Sequence, residues 1–175
     1  MALVLDASVV AEFLLTTAVG TLAVERMNEH EGELHIPHLA VIETTSVLRA
    51  WVARDGVSEQ RAAAALADLA DLPARRWPGE PLLPRIWELC DTVTAYDASY
   101  VALAELLHAD LLTADRRLAR GVRGRTSCNV MTLVPGPGGV RPSGPAAPAR
   151  TSPPRSRRVS AAARVDHLAT RPLSA

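Results

Sequence analysis

The sequence predicts an α/β fold, with a central parallel sheet covered by helices on both faces. Three observations carry this. Over residues 1–134, short strand-like runs alternate with longer segments of helical periodicity. The first of those runs is continuously apolar, which suits a strand buried on both sides. At least one helix-length segment separates each run from the next, the connection that parallel strands require.

Ala2–Leu5 is that first run. Ser8–Leu15 is helical. Val19–His30 is a second helix, with Leu22, Val24 and Met27 on its apolar side. Leu34–Ile36 is a short strand stopped by Pro37, since proline cannot donate to a ladder. Leu39–Arg54 is a long helix that ends at Asp55-Gly56. Ser58 opens another, which runs through alanine-rich sequence to Leu72. Arg75–Trp77 is a candidate strand. Leu82–Val93 and Asp97–His108 are helices, Leu111–Thr113 is a strand, Arg116–Val122 a helix and Val130–Val134 a last strand. This length is enough for one core.

Composition narrows the chemistry. All 19 basic residues of the 175 are arginine. The absence of lysine removes the Walker A phosphate loop and lysine Schiff-base catalysis. Six aromatic residues are too few for modules that stack a row of bases. The net charge of zero conceals an asymmetry: residues 1–134 hold 12 arginines and 18 acids, whereas residues 135–175 hold seven arginines and Asp166 alone. That second segment is rich in Pro, Ala, Ser and Arg and poor in large apolar residues, so the expectation is a disordered basic tail with a short helix near 160–169. It either adds affinity for a polyanion or is a solvated extension without a role, and composition alone favours the second. Cys90 and Cys128 show neither metal-ligand spacing nor a disulfide framework, and read as reduced, partly buried thiols. Asp6 and Glu12 interrupt the apolar N-terminus, which has no basic start and is no signal peptide. No run reaches the length of a membrane span, and the chain reads as cytoplasmic.

In open parallel sheets, ligands bind beyond the carboxyl ends of the strands. The first strand runs directly into Asp6, and Leu111–Thr113 runs into Asp115. Asp6, Asp97 and Asp115 each also stand where a helix N-cap would be, and one residue can serve in both ways. Glu43 lies inside the helix Leu39–Arg54, on a stripe with Leu39, Val47, Ala50 and Trp51 that reads as core-facing. A carboxylate there needs a partner or a metal; the bland alternative is a slightly rotated helix with Glu43 at its boundary beside an arginine. Together Asp6, Glu43, Asp97 and Asp115 form a candidate all-oxygen cluster, which selects a hard cation, Mg²⁺ or Mn²⁺. Such an ion suits displacement at phosphorus, so the residues point to phosphodiester hydrolysis.

The ordered motifs LVLDASVV at 3–10, IPHLAVIETTSVLRA at 36–50 and YDASYVALAELLHADLLTADRRLA at 96–119 resemble a PIN-domain ribonuclease of the VapC toxin type. The resemblance covers about residues 1–134. It implies a three-layer PIN-like fold, endoribonuclease activity dependent on Mg²⁺ or Mn²⁺, a cognate antitoxin that blocks the site, and a homodimer. It makes Asp6 and Asp97 the metal ligands, with Glu43 and Asp115 completing the acidic site directly or through water. Ser8 and Thr113 become the hydroxyls that orient it. Arg116 and Arg117 follow Asp115 where relatives often carry a further acid, which weakens support for a second metal. The basic tail lies outside the family pattern.

Arg116, Arg117 and Arg120, beside Asp115, are candidate contacts to RNA phosphates; as a bland alternative they are a solvated helix face. Arg75 and Arg76 form a weaker pair. Two other functions stay open: a non-catalytic PIN-like interaction protein, and a metal-dependent nuclease outside any toxin–antitoxin pair. Haloacid-dehalogenase-like and receiver-type sites fit poorly, because the chain has no lysine and the former also needs an acid where Ser8 stands.

Overall fold

The computed structural model describes residues 2–30 and 33–133. The chain divides into two units, Met1–Pro145 and Ala146–Ala175, and all the described residues belong to the first. The tail expected over 135–175, with its helix at 160–169, lies outside the described residues.

Five strands make one parallel sheet: β1 (Leu3–Leu5), β2 (Leu34–Pro37), β3 (Ala74–Trp77), β4 (Asp110–Thr113) and β5 (Val130–Thr132), in the order β3-β2-β1-β4-β5. The central strand is Leu-Val-Leu, fully buried, as a strand covered on both faces must be. The edge strands β3 and β5 are the less buried ones. β3 carries Arg75 and Arg76, which blunt an otherwise open ladder. Pro37 does not stop β2; it closes the strand, in register with Trp77.

The first crossovers carry α1 (Ala7–Leu14), α2 (Ala18–Glu29), α3 (Leu39–Val52) and α4 (Glu59–Asp71), and these four pack on one another. The chain then returns across the sheet through α5 (Leu83–Leu89) and α6 (Ala95–Leu107) to β4, and α7 (Arg116–Gly121) leads to β5. Right-handed connections running in opposite directions along a sheet place their helices on opposite faces. α6 lies against β1, β2 and β4, and its residues Ala98 to Ala104 are all buried. It is the core helix of its face.

Local chemistry sets the boundaries. Thr17 caps α2 and Ser58 caps α4, each hydroxyl accepting a backbone N–H three residues on. The helix read as Leu82–Val93 is shorter: a 3-10 turn at Glu80–Leu82 precedes α5, with Pro81 and Pro84 at the two starts, where a missing N–H costs nothing. α6 begins at Ala95 rather than Asp97, because Thr94 is its cap. Arginines close several helix ends. Arg61 donates to the Leu14 carbonyl at the end of α1, and Arg76 donates to the Leu69 carbonyl (2.9 Å) near the end of α4. Both cysteines are free; Cys128 is half-buried, and Cys90 is exposed rather than partly buried.

Candidate active site

Strand register builds the centre of the site. Leu5 of β1 stands beside Leu112 of β4, so the next residues, Asp6 and Thr113, leave the sheet side by side. The Asp6 N–H continues the ladder to the Leu112 carbonyl (3.0 Å). Thr113 Oγ1 donates to Asp6 Oδ2 (2.6 Å), and Ser8 Oγ donates to the same oxygen (2.7 Å). Each hydroxyl is itself oriented by the loop after β4: Ser8 Oγ accepts from the Ala114 N–H (3.0 Å) and Thr113 Oγ1 from the Asp115 N–H (2.9 Å). With their acceptor sides engaged, both hydroxyls send their protons to Asp6. Asp6 occupies the N-cap position of α1, but its side chain makes no capping bond.

Asp6 is only 6% exposed. Burial raises its pKa above the ordinary aspartate value, the bonds from Thr113 and Ser8 offset part of this, and the negative charges of Asp97 and Asp115 raise it further. Those two charges place both acids in the electrostatic neighbourhood of Asp6. Asp97 stands in the first turn of α6 and forms a reciprocal pair with the cap: Thr94 Oγ1 donates to Asp97 Oδ2 (2.7 Å) and accepts from the Asp97 N–H (3.2 Å). Asp97 is therefore not the cap. Asp115 is the cap of α7, its Oδ1 accepting from the Arg117 N–H (2.7 Å).

Glu43 sits differently from its sequence reading. The buried stripe of α3 is Ala40, Thr44 and Leu48, one residue around from the expected face. Glu43 is half-buried at the boundary, and a tyrosine is one partner there: Tyr100 Oη donates to Glu43 Oε2 (2.7 Å). Tyr100 comes from α6 and is 1% exposed. Burial, with the charges of Asp6 and Glu43, pushes its hydroxyl far above the usual tyrosine range, so it remains a donor. Tyr100 thus links Glu43 to the Asp6 region. Sequence reasoning missed it, although it lies one turn beyond Tyr96 in the motif that contains Asp97. The Thr94–Asp97 spacing was equally visible as a capping pattern.

Among the described residues, no three His, Cys, Asp or Glu groups form a ready-made metal cage. A small hard cation does not need one, because it takes one or two carboxylates and keeps several waters. The donors are all oxygen, and the buried carboxyl of Asp6 lies under the charge of two others. That set fits Mg²⁺ or Mn²⁺.

Arg116, Arg117 and Arg120 are exposed on α7. Among the described residues none of them has an acid within ion-pair distance. Arg116 and Arg117 occupy the first turn, where the helix dipole disfavours a cation. The weaker pair has structural employment instead: Arg75 stacks 4.4 Å over the Trp77 ring, and Arg76 holds the α4 carbonyls. A groove of about 530 Å³ between α1, α2 and α4, with Phe13, Val24, Arg61 and Leu72 in its lining, includes none of Asp6, Glu43, Asp97 and Asp115.

A five-stranded parallel sheet with acids at the carboxyl ends of adjacent central strands, and two more on the flanking helices, defines the class. A match to the PIN domain spans residues 3–123, and the chain belongs to the PIN-domain family. Its similarity is to ribonucleases named VapC. It is 38% identical to Ribonuclease VapC12 of Mycobacterium tuberculosis over 119 residues, 67% of this chain and 90% of that protein. It is 40% identical to VapC ribonuclease Mb0985 of Mycobacterium bovis over 135 residues, 76% of this chain and 98% of the relative. The crystal structure of PAE2754 from Pyrobaculum aerophilum shares the fold, with a TM-score of 0.52 and 24% identity over 74% of this chain and 83% of that one. The family read from the motifs is thereby borne out, and so is the sheet.

Proposed function

We propose that the chain is an endoribonuclease toxin that hydrolyses RNA phosphodiester bonds with Mg²⁺ or Mn²⁺ and is neutralised by a cognate antitoxin. The observation that carries the reading is the pairing of Asp6 with Thr113 across β1 and β4, under the charges of Asp97 and Asp115. The relatives named VapC ribonucleases supply the reaction.

Asp6 and Asp97 would hold the cation; Oδ1 of Asp6 is the oxygen that neither hydroxyl uses. Such an ion would supply charge neutralisation at the scissile phosphate and lower the pKa of water. Ser8 and Thr113 fix the rotamer of Asp6. Tyr100 holds Glu43, and Glu43 with Asp115 positions the attacking water, whose oxygen bonds to phosphorus as a ribose oxygen leaves. Thr94 holds Asp97 from the other side. Arg116, Arg117 and Arg120, exposed on α7 beside Asp115, are the phosphate contacts. A homodimer and a cytoplasmic location belong to the same reading; among the described residues no single helix is long and apolar enough to cross a membrane. Residues 1–134 form the catalytic domain, and 135–175 is an appended basic tail whose deletion leaves cleavage intact.

The test is cleavage of total cellular RNA by the purified chain with Mg²⁺ or Mn²⁺, beside Asp6→Ala, Asp97→Ala and an EDTA control. Cleavage lost in all three supports the reading. Identical traces from the wild type and both variants would remove it.

A further inference from the structure

The site as proposed above handles a phosphate, and none of its residues is assigned to a base. Two exposed apolar side chains each immediately precede one of its acids: Ile42, 70% exposed, before Glu43, and Tyr96, 56% exposed, before Asp97. Single exposed apolar residues are ordinary on any surface. Tyr96 is set apart by its place on α6. It lies one turn before Tyr100, and residues four apart share a helix face. Asp97 is about 100° further round. The face that contains Tyr100 therefore also presents Tyr96. Tyr100, buried, donates to Glu43 Oε2, and one turn nearer the start of the helix stands the exposed Tyr96 ring. In an α-helix, side chains lean toward the N-terminus, which carries that ring outward past the first turn. The turn does not need it, since Thr94 and Asp97 complete the cap.

We propose that the Tyr96 ring stacks on the base of the nucleotide next to the scissile phosphate, so that Tyr96 is a specificity-determining residue for single-stranded RNA. This rests on the ribonuclease reading above. A net-negative surface gains little from a polyanion beyond its few arginines. A π-face is the chemistry that holds an unpaired base without charge. Stacking accepts every base but holds purines more strongly, so the ring sets a graded preference beside the cut. One ring is enough for one base, which is consistent with a chain so poor in aromatic residues.

The test compares the full chain with Tyr96→Phe and Tyr96→Ala on a random-sequence RNA pool with Mg²⁺ or Mn²⁺, reading kcat, KM and the sequences of the fragment ends. Tyr96→Ala should raise KM about tenfold, the scale of one lost base stack, and flatten the base preference beside the cut. Tyr96→Phe should keep both, because the ring does the work. Three results overturn the proposal: a wild-type KM and end profile in Tyr96→Ala, which leaves the exposed ring to a protein partner; Tyr96→Phe as impaired as Tyr96→Ala, which makes the hydroxyl the active part; or a loss in kcat alone with an unchanged profile, which makes Tyr96 a positioning residue for Asp97. A wild type that cleaves no RNA is a different failure. It removes the ribonuclease reading, and this inference with it.

Discussion

Asp6 is a carboxylate held where a carboxylate is costly. It is buried, and two further acids bear on it. Its folded pKa lies above its unfolded one, so its contribution to stability is complete below the ordinary aspartate value and is lost as pH rises through the folded pKa. In EDTA at pH 7, Asp6→Asn should therefore melt at a higher temperature than the wild type, and the difference should close at pH 3. The amide oxygen still accepts from Ser8 and Thr113, so the fold has no reason to fail. Cleavage by the same variant should fall at least about 100-fold, the cost of losing one preorganised charge in a reaction centre. Equal melting across pH would show that Asp6 is better solvated than its surroundings imply. Asp6 and Asp115 were legible in the sequence because strand ends are legible: a buried apolar run that terminates in an acid announces both the strand and the place of the side chain. Tyr100 was not. Its hydroxyl matters through a helix 57 positions away, and no local pattern encodes that distance.

At the scale of elements, close approach decides more than propensity. α1 and α2 meet at Gly20, where a Cβ would stand 2.2 Å from the Glu12 carbonyl oxygen and 3.0 Å from Phe13 Cα. Both are backbone atoms and cannot yield without moving a helix. Gly20→Ala should cost about 3 kcal/mol, at the upper end of overpacking, and denaturant titration would measure it. A second element-level device is the clamp on the loop before β5. Glu105 of α6 receives Arg85 Nε (2.6 Å), Thr126 Oγ1 (2.8 Å) and the Ser127 N–H (2.9 Å). Burial pushes the Glu105 carboxyl up, but these bonds and the charge of Arg85 outweigh it, and the net shift is downward. Its stabilisation is therefore present above the ordinary glutamate value and lost as pH falls through the folded pKa. Glu105→Gln should melt below the wild type at pH 7, and the difference should shrink as the pH is taken below the ordinary glutamate value. Elements themselves were read well, since the alternation of strands and helices leaves few topologies open. The rotation of α3 was not. Leu39 and Val47 lie only partly buried while Ala40 and Thr44 are buried, and small side chains facing a close neighbour leave little trace in a hydrophobic pattern.

For the whole molecule, charge sets the terms of binding. The folded domain is acidic, so affinity for RNA has to be concentrated in a few arginines. Arg116→Ala and Arg120→Ala should each weaken RNA binding and reduce the slope of log affinity against log salt by about 0.7, the value for one phosphate contact on a single strand. A filter-binding series over a range of salt concentrations reads this, and unchanged slopes in both would return α7 to the status of a solvated surface.

The order of the strands also has a consequence in time. Asp6 is made at the start of the chain, and Thr113, its partner in the sheet, follows 107 positions later. Asp97 and Asp115 are as late. At about 5–20 residues per second of synthesis, the nascent chain spends several seconds with Asp6 and Glu43 made but neither Asp97 nor Asp115. The central strand of the sheet waits, unpaired on one side, for β4 to arrive. A chain that cuts RNA is thus harmless to the messenger and ribosome producing it until translation has all but finished the domain, and any partner that recognises the completed site finds nothing to hold before then.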